Sequence, residues 1–268
     1  MNMMKYMCLS SLSFISLLVI TPAFAQPFAY ITNVNDNTVS IINTANNIVV
    51  DTVNVGDSPV GIAISPDGSF VYVANTDSNN VSVINTFNNT VVANVSVGAF
   101  PIGLAITPDG SFVYVTNANS HDISIIDTST NTVVDTVGVG VTGPWGIAVS
   151  PDGSFVYASD SFDEVLVLDS TTNMIVDTIN LVFNAFPNSQ IVFSPDGKFV
   201  YVAESSVGNT LSVIDTSTNT AVDTVGVGDS PFGIAVTPDG SFIYVSNAFS
   251  NDISVIDTST NSVVDTIM

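Results

Sequence analysis

The chemistry open to this chain is mostly that of carboxylates. Its 268 residues include 24 Asp and Glu, but only 2 Lys, no Arg, 1 His and 1 Cys. Haem and copper sites draw on histidine ligands, and the lone His121 does not build such a site. Phosphate and lactone substrates need basic groups, and Lys198 stands alone in the body of the chain. The sequence therefore predicts no cofactor and leaves carboxylate catalysis, as in glycoside hydrolysis, as the remaining enzymatic option.

Aromatic and acidic residues gather in segments that depart from an otherwise repetitive chain, at 160–164, 180–190 and 204–209. Exposed aromatic side chains beside carboxylates suit a glycan, a peptide or a cationic partner. The alternative is that the aromatic rings pack between repeats and the acids are solvated. The candidate ligand- or partner-binding residues are Trp145, Asp160, Phe162, Asp163, Glu164, Phe183, Phe186 and Glu204.

Three of these acids raise the question of calcium. Asp160, Asp163 and Glu164 lie close together in sequence, and hard cations bind carboxylate oxygens. Their spacing is not that of an EF-hand loop, and no D-x-[DN]-x-[DN]-G run occurs. We therefore assign no metal-binding residue and keep calcium as an alternative.

The first 25 residues have the pattern of a secretory signal peptide. Lys5 precedes the apolar run 7–20, and Ala23-Phe24-Ala25 forms a small-x-small cleavage site. The apolar run is shorter than the roughly 18 residues of a membrane-spanning helix, so no membrane span is expected after cleavage. We predict cleavage after Ala25, a single domain over 26–268, and export to the periplasm or the cell surface.

Charge excludes one class of partner. The formal net charge is −22, whereas nucleic-acid binding needs Lys and Arg to displace counterions from phosphates. The hydrophobic fraction of 46% is far above that of a disordered acidic chain, so a sizeable core is expected. We predict a folded acidic protein that does not bind nucleic acid and that attracts basic partners.

A repeat of about 43 residues fills the rest of the chain. Pro-Asp-Gly followed by an aromatic strand occurs five times, and a sixth copy at 28–33 lacks the turn. Such a period, divided into short strands, is typical of a propeller blade. The tyrosines that mark the six copies are Tyr30, Tyr72, Tyr114, Tyr157, Tyr201 and Tyr244.

Each period reads as four strands bounded by Gly, Pro, Asn, Asp or Ser. We therefore predict an all-β fold, a β-propeller of about six four-stranded blades, the first lacking its innermost strand. The favoured arrangement is a six-blade ring closed by that three-strand blade. A truncated sequence and an open edge that pairs with another chain stay as alternatives, and the open edge predicts an oligomer. The aspartates of the Pro-Asp-Gly turns and the recurring Asp51, Asp135, Asp177, Asp223 and Asp265 are interpreted as requirements of the fold.

Four segments, YITN (30–33), YVAN (72–75), YVTN (114–117) and YVSN (244–247), carry a resemblance to a known family. Together with the Pro-Asp-Gly turns that precede the last three, they resemble the YVTN-type β-propeller repeat family, which includes surface-layer and YncE-like secreted proteins. Segment 143–161 is also similar to the related NHL repeat. The resemblance implies a secreted propeller that binds partners or forms a surface scaffold, and it supplies no catalytic residues.

These observations predict a secreted or periplasmic, non-catalytic propeller that binds a protein, peptide, glycan or other ligand, or that serves as a cell-surface scaffold. The alternative is a carboxylate-dependent hydrolase or lyase, with its site at the mouth of the central channel. Acids from different blades that converge in one pocket would favour the alternative.

Overall fold

The computed structural model describes residues 18–19, 28–140, 143–160, 164–181, 190–205 and 208–268. In this part of the chain the regular elements are β-strands, arranged as six four-stranded antiparallel sheets in the manner of a β-propeller. The predicted all-β propeller of six blades is confirmed. No helix among the described residues is long and apolar enough to cross a membrane.

Strands are numbered in chain order and run from the inner to the outer edge of each blade. Blade 1 comprises β1 (Leu18–Val19), β2 (Phe28–Asn33), β3 (Thr38–Asn43) and β4 (Ile48–Asn54). Blade 2 comprises β5 (Pro59–Ile64), β6 (Phe70–Asn75), β7 (Asn80–Asn85) and β8 (Thr90–Ser96). Blade 3 comprises β9 (Pro101–Ile106), β10 (Phe112–Asn117), β11 (Asp122–Asp127) and β12 (Thr132–Gly138).

The remaining three blades repeat this arrangement. Blade 4 comprises β13 (Ile147–Val149), β14 (Phe155–Ser159), β15 (Glu164–Asp169) and β16 (Met174–Asn180). Blade 5 comprises β17 (Gln190–Phe193), β18 (Phe199–Glu204), β19 (Thr210–Asp215) and β20 (Thr220–Gly226). Blade 6 comprises β21 (Pro231–Val236), β22 (Phe242–Asn247), β23 (Asp252–Asp257) and β24 (Ser262–Ile267).

Blade 1 has three full strands, as the sequence predicted. The two-residue strand β1 pairs with β2 through Leu18 and Tyr30 and through Val19 and Ala29. Strand β1 lies within the segment predicted to be the signal peptide, so cleavage after Ala25 would remove this pairing from the inner edge of blade 1.

The Pro-Asp-Gly turns are built by local hydrogen bonds. Asp67 accepts from the hydroxyl of Ser65 at 2.6 Å and from the backbone N–H of Ser69 at 3.0 Å. Gly68 follows with a φ of 73°, a left-handed conformation that glycine adopts without a steric penalty. The same contacts recur at the other four turns, so these aspartates hold the hairpin between the two inner strands.

The hydrophobic core lies between neighbouring blades. Tyr30 of blade 1 packs against Val71, Val73 and Ile84 of blade 2, and this arrangement is repeated at each of the five successive interfaces. The first five blade tyrosines are at most 2% exposed, whereas Tyr244 of blade 6 is 37% exposed. Within the described ranges, Tyr244 is therefore not covered by blade 1, which differs from the closed ring that the sequence favoured.

Candidate functional site

The loops that lead into blades 2, 3 and 6 pass over the ends of the second strands of those blades. We call this side of the propeller the loop face. A Cβ atom built on Gly56 would lie 2.8 Å from the Asn75 side chain at the end of β6. A Cβ atom on Gly98 would likewise lie against the Asn117 side chain, and one on Gly228 would lie against the Asn247 side chain. Glycine is needed at these loop positions because the loop backbone lies directly against the asparagine.

Those asparagines form a repeated polar network on the loop face. Asn75 Nδ2 donates to Asn80 Oδ1 at 2.7 Å and to Ser82 Oγ at 2.8 Å. Asn33, Asn117 and Asn247 make the corresponding pairs of bonds in blades 1, 3 and 6. One amide group thus satisfies two acceptors and fixes the turn between the second and third strands, which explains the last letter of the YVTN-like motif.

Blade 4 departs from this network. Asp160 stands at the asparagine position, is 3% exposed, and accepts the Glu164 N–H at 3.0 Å, while its own N–H donates to the Glu164 carbonyl at 2.9 Å. Leu166 takes the place of the serine on the third strand. A donating amide is therefore replaced by an accepting carboxylate.

Blade 5 departs in the same way. Glu204 ends β18 at the asparagine position, is 0% exposed, and accepts a hydrogen bond from the Ser212 hydroxyl. Thr210 stands where Asn80, Asp122 and Asp252 stand in other blades. Blades 4 and 5 are neighbours, joined by the cluster that contains Tyr157. Two adjacent blades thus place buried carboxylates at one position of the loop face, and burial of a carboxylate requires local donors.

Trp145 enters blade 4 beside this region. Its N–H donates to the Ser159 carbonyl at 2.9 Å, and its own carbonyl accepts from the Thr116 hydroxyl of blade 3 at 2.7 Å. The residue is half-buried. Trp145 is therefore fixed by its backbone at the junction of blades 3 and 4.

The structure describes half of the predicted binding patch. Trp145, Asp160, Glu164 and Glu204 are described, whereas Phe162, Asp163, Phe183 and Phe186 lie outside the described residues. Asp160 and Glu204 are buried, so their side chains lie beneath the surface of the loop face. Assembly of the full patch stays a prediction.

Among the described residues, no group of three or more His, Cys, Asp or Glu side chains could hold a metal ion. The calcium alternative included Asp163, which lies outside that part of the chain. Calcium binding at 160–164 stays an alternative prediction.

His121 and Lys198 have local roles. His121 has a φ of 57° in the turn between β10 and β11, where the other described turns of this kind carry Asn37, Asn79, Asn209 and Asn251 in the same conformation. Lys198 forms an exposed ion pair with Asp196 at 2.9 Å in the Pro-Asp-Gly turn of blade 5.

Hydrogen-bond donors lower the pKa values of the turn aspartates. Hydrogen bonds from the Ser65 hydroxyl and the Ser69 N–H lower the pKa of Asp67. Those from Thr107 and Ser111 lower the pKa of Asp109. The ammonium group of Lys198, followed by the Ser194 hydroxyl, lowers the pKa of Asp196 to about 2. These carboxylates are ionised at neutral pH and do not serve as general acids there.

Family models and solved structures both support the propeller fold. Residues 33–134 match the family model described as a lactonase, 7-bladed beta-propeller, and residues 149–268 match that of the cytochrome D1 heme domain. Each match covers less than half of the chain. No curated protein matches the sequence.

Similar solved structures include Kuenenia stuttgartiensis hydrazine synthase, at 24% identity and a TM-score of 0.79 over 87% of this chain and 74% of that chain. A functionally unknown protein from Desulfotomaculum acetoxidans DSM 771 matches at 22% identity and a TM-score of 0.77, over 89% of this chain and 79% of that one. The dihydro-heme d1 dehydrogenase NirN in complex with DHE matches at 17% identity and a TM-score of 0.64, over 92% of this chain and 65% of that chain. At these identities the likeness shows the fold alone.

The prediction of no cofactor is contradicted by these findings. The match of residues 149–268 to the cytochrome D1 heme domain model points to haem-related binding. The prediction rested on a count of histidines, but tyrosine and methionine also ligate haem iron. Composition alone was therefore too narrow a criterion.

A haem site needs a side chain that ligates the iron. In the described part of 149–268, Tyr157 and Tyr201 are buried in the core, Met174 is exposed on an outer strand, and Tyr244 is partly exposed on the end of blade 6. The sequence has no Arg, and Lys198 is paired with Asp196. The described residues do not bring a ligand for iron and a basic group for haem carboxylates to one place, so they do not fit the group.

Proposed function

We propose that this protein is an exported β-propeller that serves as a non-catalytic interaction module, and that it binds a cationic protein or peptide at the loop face of blades 4 and 5. The observation that carries the proposal is the replacement of the repeated asparagine by buried carboxylates, Asp160 and Glu204, in two adjacent blades. Export rests on the signal-peptide pattern of residues 1–25.

The exchange of an amide for a carboxylate is unfavourable for folding alone. The amide at Asn75 or Asn117 satisfies two acceptors, and it carries no charge to desolvate. A buried carboxylate loses solvation and needs donors in return. A cationic group at the mouth of the two blades would recover part of that loss, since Coulomb attraction is stronger where water is excluded. The net charge of −22 further favours a basic partner.

The turn aspartates do not supply the acid of a carboxylate-dependent enzyme. A catalytic pair needs one carboxylic acid whose pKa is raised, so that it can donate a proton. The turn aspartates Asp67, Asp109, Asp152, Asp196 and Asp239 all have lowered pKa values, because hydroxyl, backbone or ammonium donors stabilise their charged form.

The chain offers a built-in probe for the test. Trp145 is its only tryptophan, and it lies at the entry of blade 4. Titration of the protein with an oligolysine peptide at low salt is expected to change Trp145 emission in a saturable way, with weaker binding as salt is raised.

Two variants locate the site. Asp160→Asn and Glu204→Gln remove one charge each while keeping the size of the side chain, and each is expected to weaken oligolysine binding about tenfold. Asp36→Asn is the matched control, since it removes one charge from the equivalent turn of blade 1. Equal weakening by all three variants would indicate binding to the general negative field, and the proposed site would be wrong.

A further inference from the structure

Blade 2 departs from the repeat in the turn between its third and fourth strands. In blades 3 to 6 the two residues before the turn asparagine are Ser or Thr, whereas in blade 2 they are Phe87 and Asn88. The change creates the sequence Asn88-Asn89-Thr90. An asparagine two residues before a threonine is a sequon, the acceptor sequence for an N-linked glycan in exported proteins.

Blade 2 contains all three sequons of the chain, and they begin at Asn80, Asn88 and Asn94. Asparagine, serine and threonine are abundant in this chain, so the motif alone does not select an acceptor. The structure separates the three sequons, because two of them lie within strands β7 and β8 and one lies in the turn that joins these strands.

The two strand sequons are built into the sheet. Asn80 Oδ1 accepts from Asn75 Nδ2 at 2.7 Å, and Ser82, the hydroxyl residue of this sequon, is 0% exposed. Asn94 pairs with Ser82 across the two strands, and its Oδ1 accepts from the Ser82 hydroxyl at 2.8 Å. Val95, the middle residue of the third sequon, is buried. A glycosyltransferase would have to pull either segment out of the folded blade to bind all three residues of the sequon.

The turn sequon is accessible in the folded protein. Asn88 and Thr90 are both exposed, and the Thr90 hydroxyl donates to Asn88 Oδ1 at 2.8 Å. Among the described residues, none accepts a hydrogen bond from Asn88 Nδ2, the atom to which a glycan is attached. The middle residue Asn89 is tied to Asp51 of blade 1 by one exposed bond of 2.9 Å, and an exposed contact of this kind is weak. The acceptor amide and the hydroxyl are therefore presented together at the surface.

An exposed aromatic ring adjoins the acceptor. Phe87 is 97% exposed, whereas the other blades carry small or hydroxyl residues at this position of the turn. Aromatic rings have large apolar faces, and a sugar attached to Asn88 would cover the Phe87 ring and remove apolar area from water. The corresponding residues of the other blades are Ala45, Ser129, Thr171, Ser217 and Ser259.

We propose that Asn88 is an N-glycosylation site, and that the donor substrate is an oligosaccharide linked to a lipid pyrophosphate. Asn88 Nδ2 forms a bond to the anomeric carbon of the first sugar, and the bond between this carbon and the pyrophosphate oxygen breaks. The electron pair leaves with the lipid pyrophosphate, and one amide proton passes to a basic group of the transferase. The proposal requires export, which is part of the proposed function, but it does not require a cationic partner.

A glycan at Asn88 leaves the loop face open. Because the strands are antiparallel, the turn between the third and fourth strands lies at the opposite end of the blade from the turn between the second and third. The Thr86 hydroxyl donates to the Gly68 carbonyl at 2.7 Å, which places the Asn88 turn beside the Pro-Asp-Gly turn. Glycosylation and binding at the loop face of blades 4 and 5 are thus compatible.

The test is mass spectrometry of the protein purified from its native cells. Cleavage before aspartate yields one peptide, 77–108, that contains all three sequons. Electron-transfer fragmentation then locates any added mass. The expected result is a glycan on Asn88 and unmodified Asn80 and Asn94.

Variants in two equivalent turns test the origin of the modification. Thr90→Ala removes the hydroxyl of the sequon but keeps Asn88, and is expected to abolish glycosylation; Thr90→Ser is expected to retain it. Asn46 is the matched control, because it occupies the position of Asn88 in blade 1 but is followed by Asn47 and Ile48, so no hydroxyl completes a sequon. Ile48→Thr is expected to add a glycan at Asn46. Thr90 and Ile48 are exposed, and circular dichroism checks that the variants are folded.

The same digest distinguishes failure of this proposal from failure of export. An unmodified peptide 77–108 in a chain that begins at Gln26 would overturn the glycan proposal and leave export intact. An unmodified peptide in a chain that retains residues 1–25 would overturn both. A glycan on Asn80 or Asn94 alone would show that the folded structure does not select the acceptor. Added mass on Asn88 that persists in Thr90→Ala would show a modification that does not depend on the sequon, and would overturn the proposal as well.

Discussion

Asn219 of blade 5 is joined to blade 4 by two side-chain hydrogen bonds, to Tyr157 and to Asp177, and we call this arrangement a clamp. Replacement of Asn219 by glycine measures what the clamp contributes to stability. Asn219 has a φ of 50°, so glycine removes the side chain without adding backbone strain. Two hydrogen bonds are lost, one from the Tyr157 hydroxyl at 2.5 Å and one to the Asp177 carboxylate at 2.9 Å. The first bond, with its buried phenol, is worth about 1 to 1.5 kcal/mol, and the exposed charged one about 0.5 to 1 kcal/mol.

The chain contains a matched control for this substitution. Asn131 occupies the same turn in blade 3 with a φ of 53°, but the residue that it faces on blade 2 is Ala93 instead of aspartate. Its buried Oδ1 has no hydrogen-bond partner among the described residues. Asn131→Gly therefore carries the same backbone effect without the two bonds, and Asn219→Gly is expected to be less stable than Asn131→Gly by about 2 kcal/mol.

The assay is equilibrium urea denaturation at neutral pH, followed by Trp145 emission and by circular dichroism. A difference of about 2 kcal/mol corresponds to a melting temperature lower by about 4 to 8 °C in a chain of this length. Adding Asp177→Ala to each variant gives a double-mutant cycle for the exposed bond. If the two glycine variants differ by less than about 0.5 kcal/mol, the clamp does not stabilise the interface, and the reasoning is refuted.

Two further predictions concern the hairpins and the inner strands. Gly61→Ala is expected to destabilise the protein by about 2 kcal/mol or more, because its Cβ would lie 2.0 Å from the Ile102 carbonyl oxygen of blade 3. Gly138→Ala has open space around it and should stay within about 0.5 kcal/mol of wild type by thermal denaturation. Asp239, whose pKa is lowered from 3.8 to about 2 by the Thr237 hydroxyl, stabilises the fold above pH 3.8 and loses this effect as pH falls through about 2. Asp239→Asn is therefore expected to be less stable than wild type at pH 7, with a difference that closes towards pH 2; a constant difference would contradict this origin.

The propeller could be predicted from the sequence because the repeat period, the alternation within strands and the turn residues all indicate the same fold. The period of about 43 residues gives the blade, and the alternation within it gives strands. The Pro-Asp-Gly turns are fixed by contacts within five residues, such as those of Asp67 with Ser65 and Ser69. Local chemistry of this kind is visible in a single sequence.

Of the two side chains that form such a clamp, only the aspartate could be recognised from the sequence. The recurrence of Asp51 and its equivalents indicated a fold requirement, but the partner of Asp51 is Asn89, 38 residues further along the chain. A repeated asparagine in a Ser-Thr-Asn turn has a sufficient local explanation, since it adopts the left-handed conformation. Sequence therefore offers no reason to connect the two sets until the blades are placed side by side.

The departures on blades 4 and 5 were visible, but their burial was not. The segments DSFDE and ESSVGN begin at the position of the repeated asparagine, so alignment of the copies to the last letter of YVTN would have shown the exchange. The sequence instead suggested loop residues, and loop acids are usually solvated. Asp160 and Glu204 are 3% and 0% exposed, and burial at the end of a second strand is a property of the assembled propeller.

The large negative charge does not by itself mark a cation site. Most acids of the repeat are held by neutral donors: Asp67 by Ser65 and Ser69, and Asp127 by the backbone N–H groups of Ser129 and Thr130. Hydroxyl, amide and backbone N–H groups thus replace the basic side chains that the chain lacks. Asp160 and Glu204 differ because they stand where four other blades carry a donor. The position that breaks the repeat, and not the total charge, is therefore the basis on which we propose a site for a cationic partner.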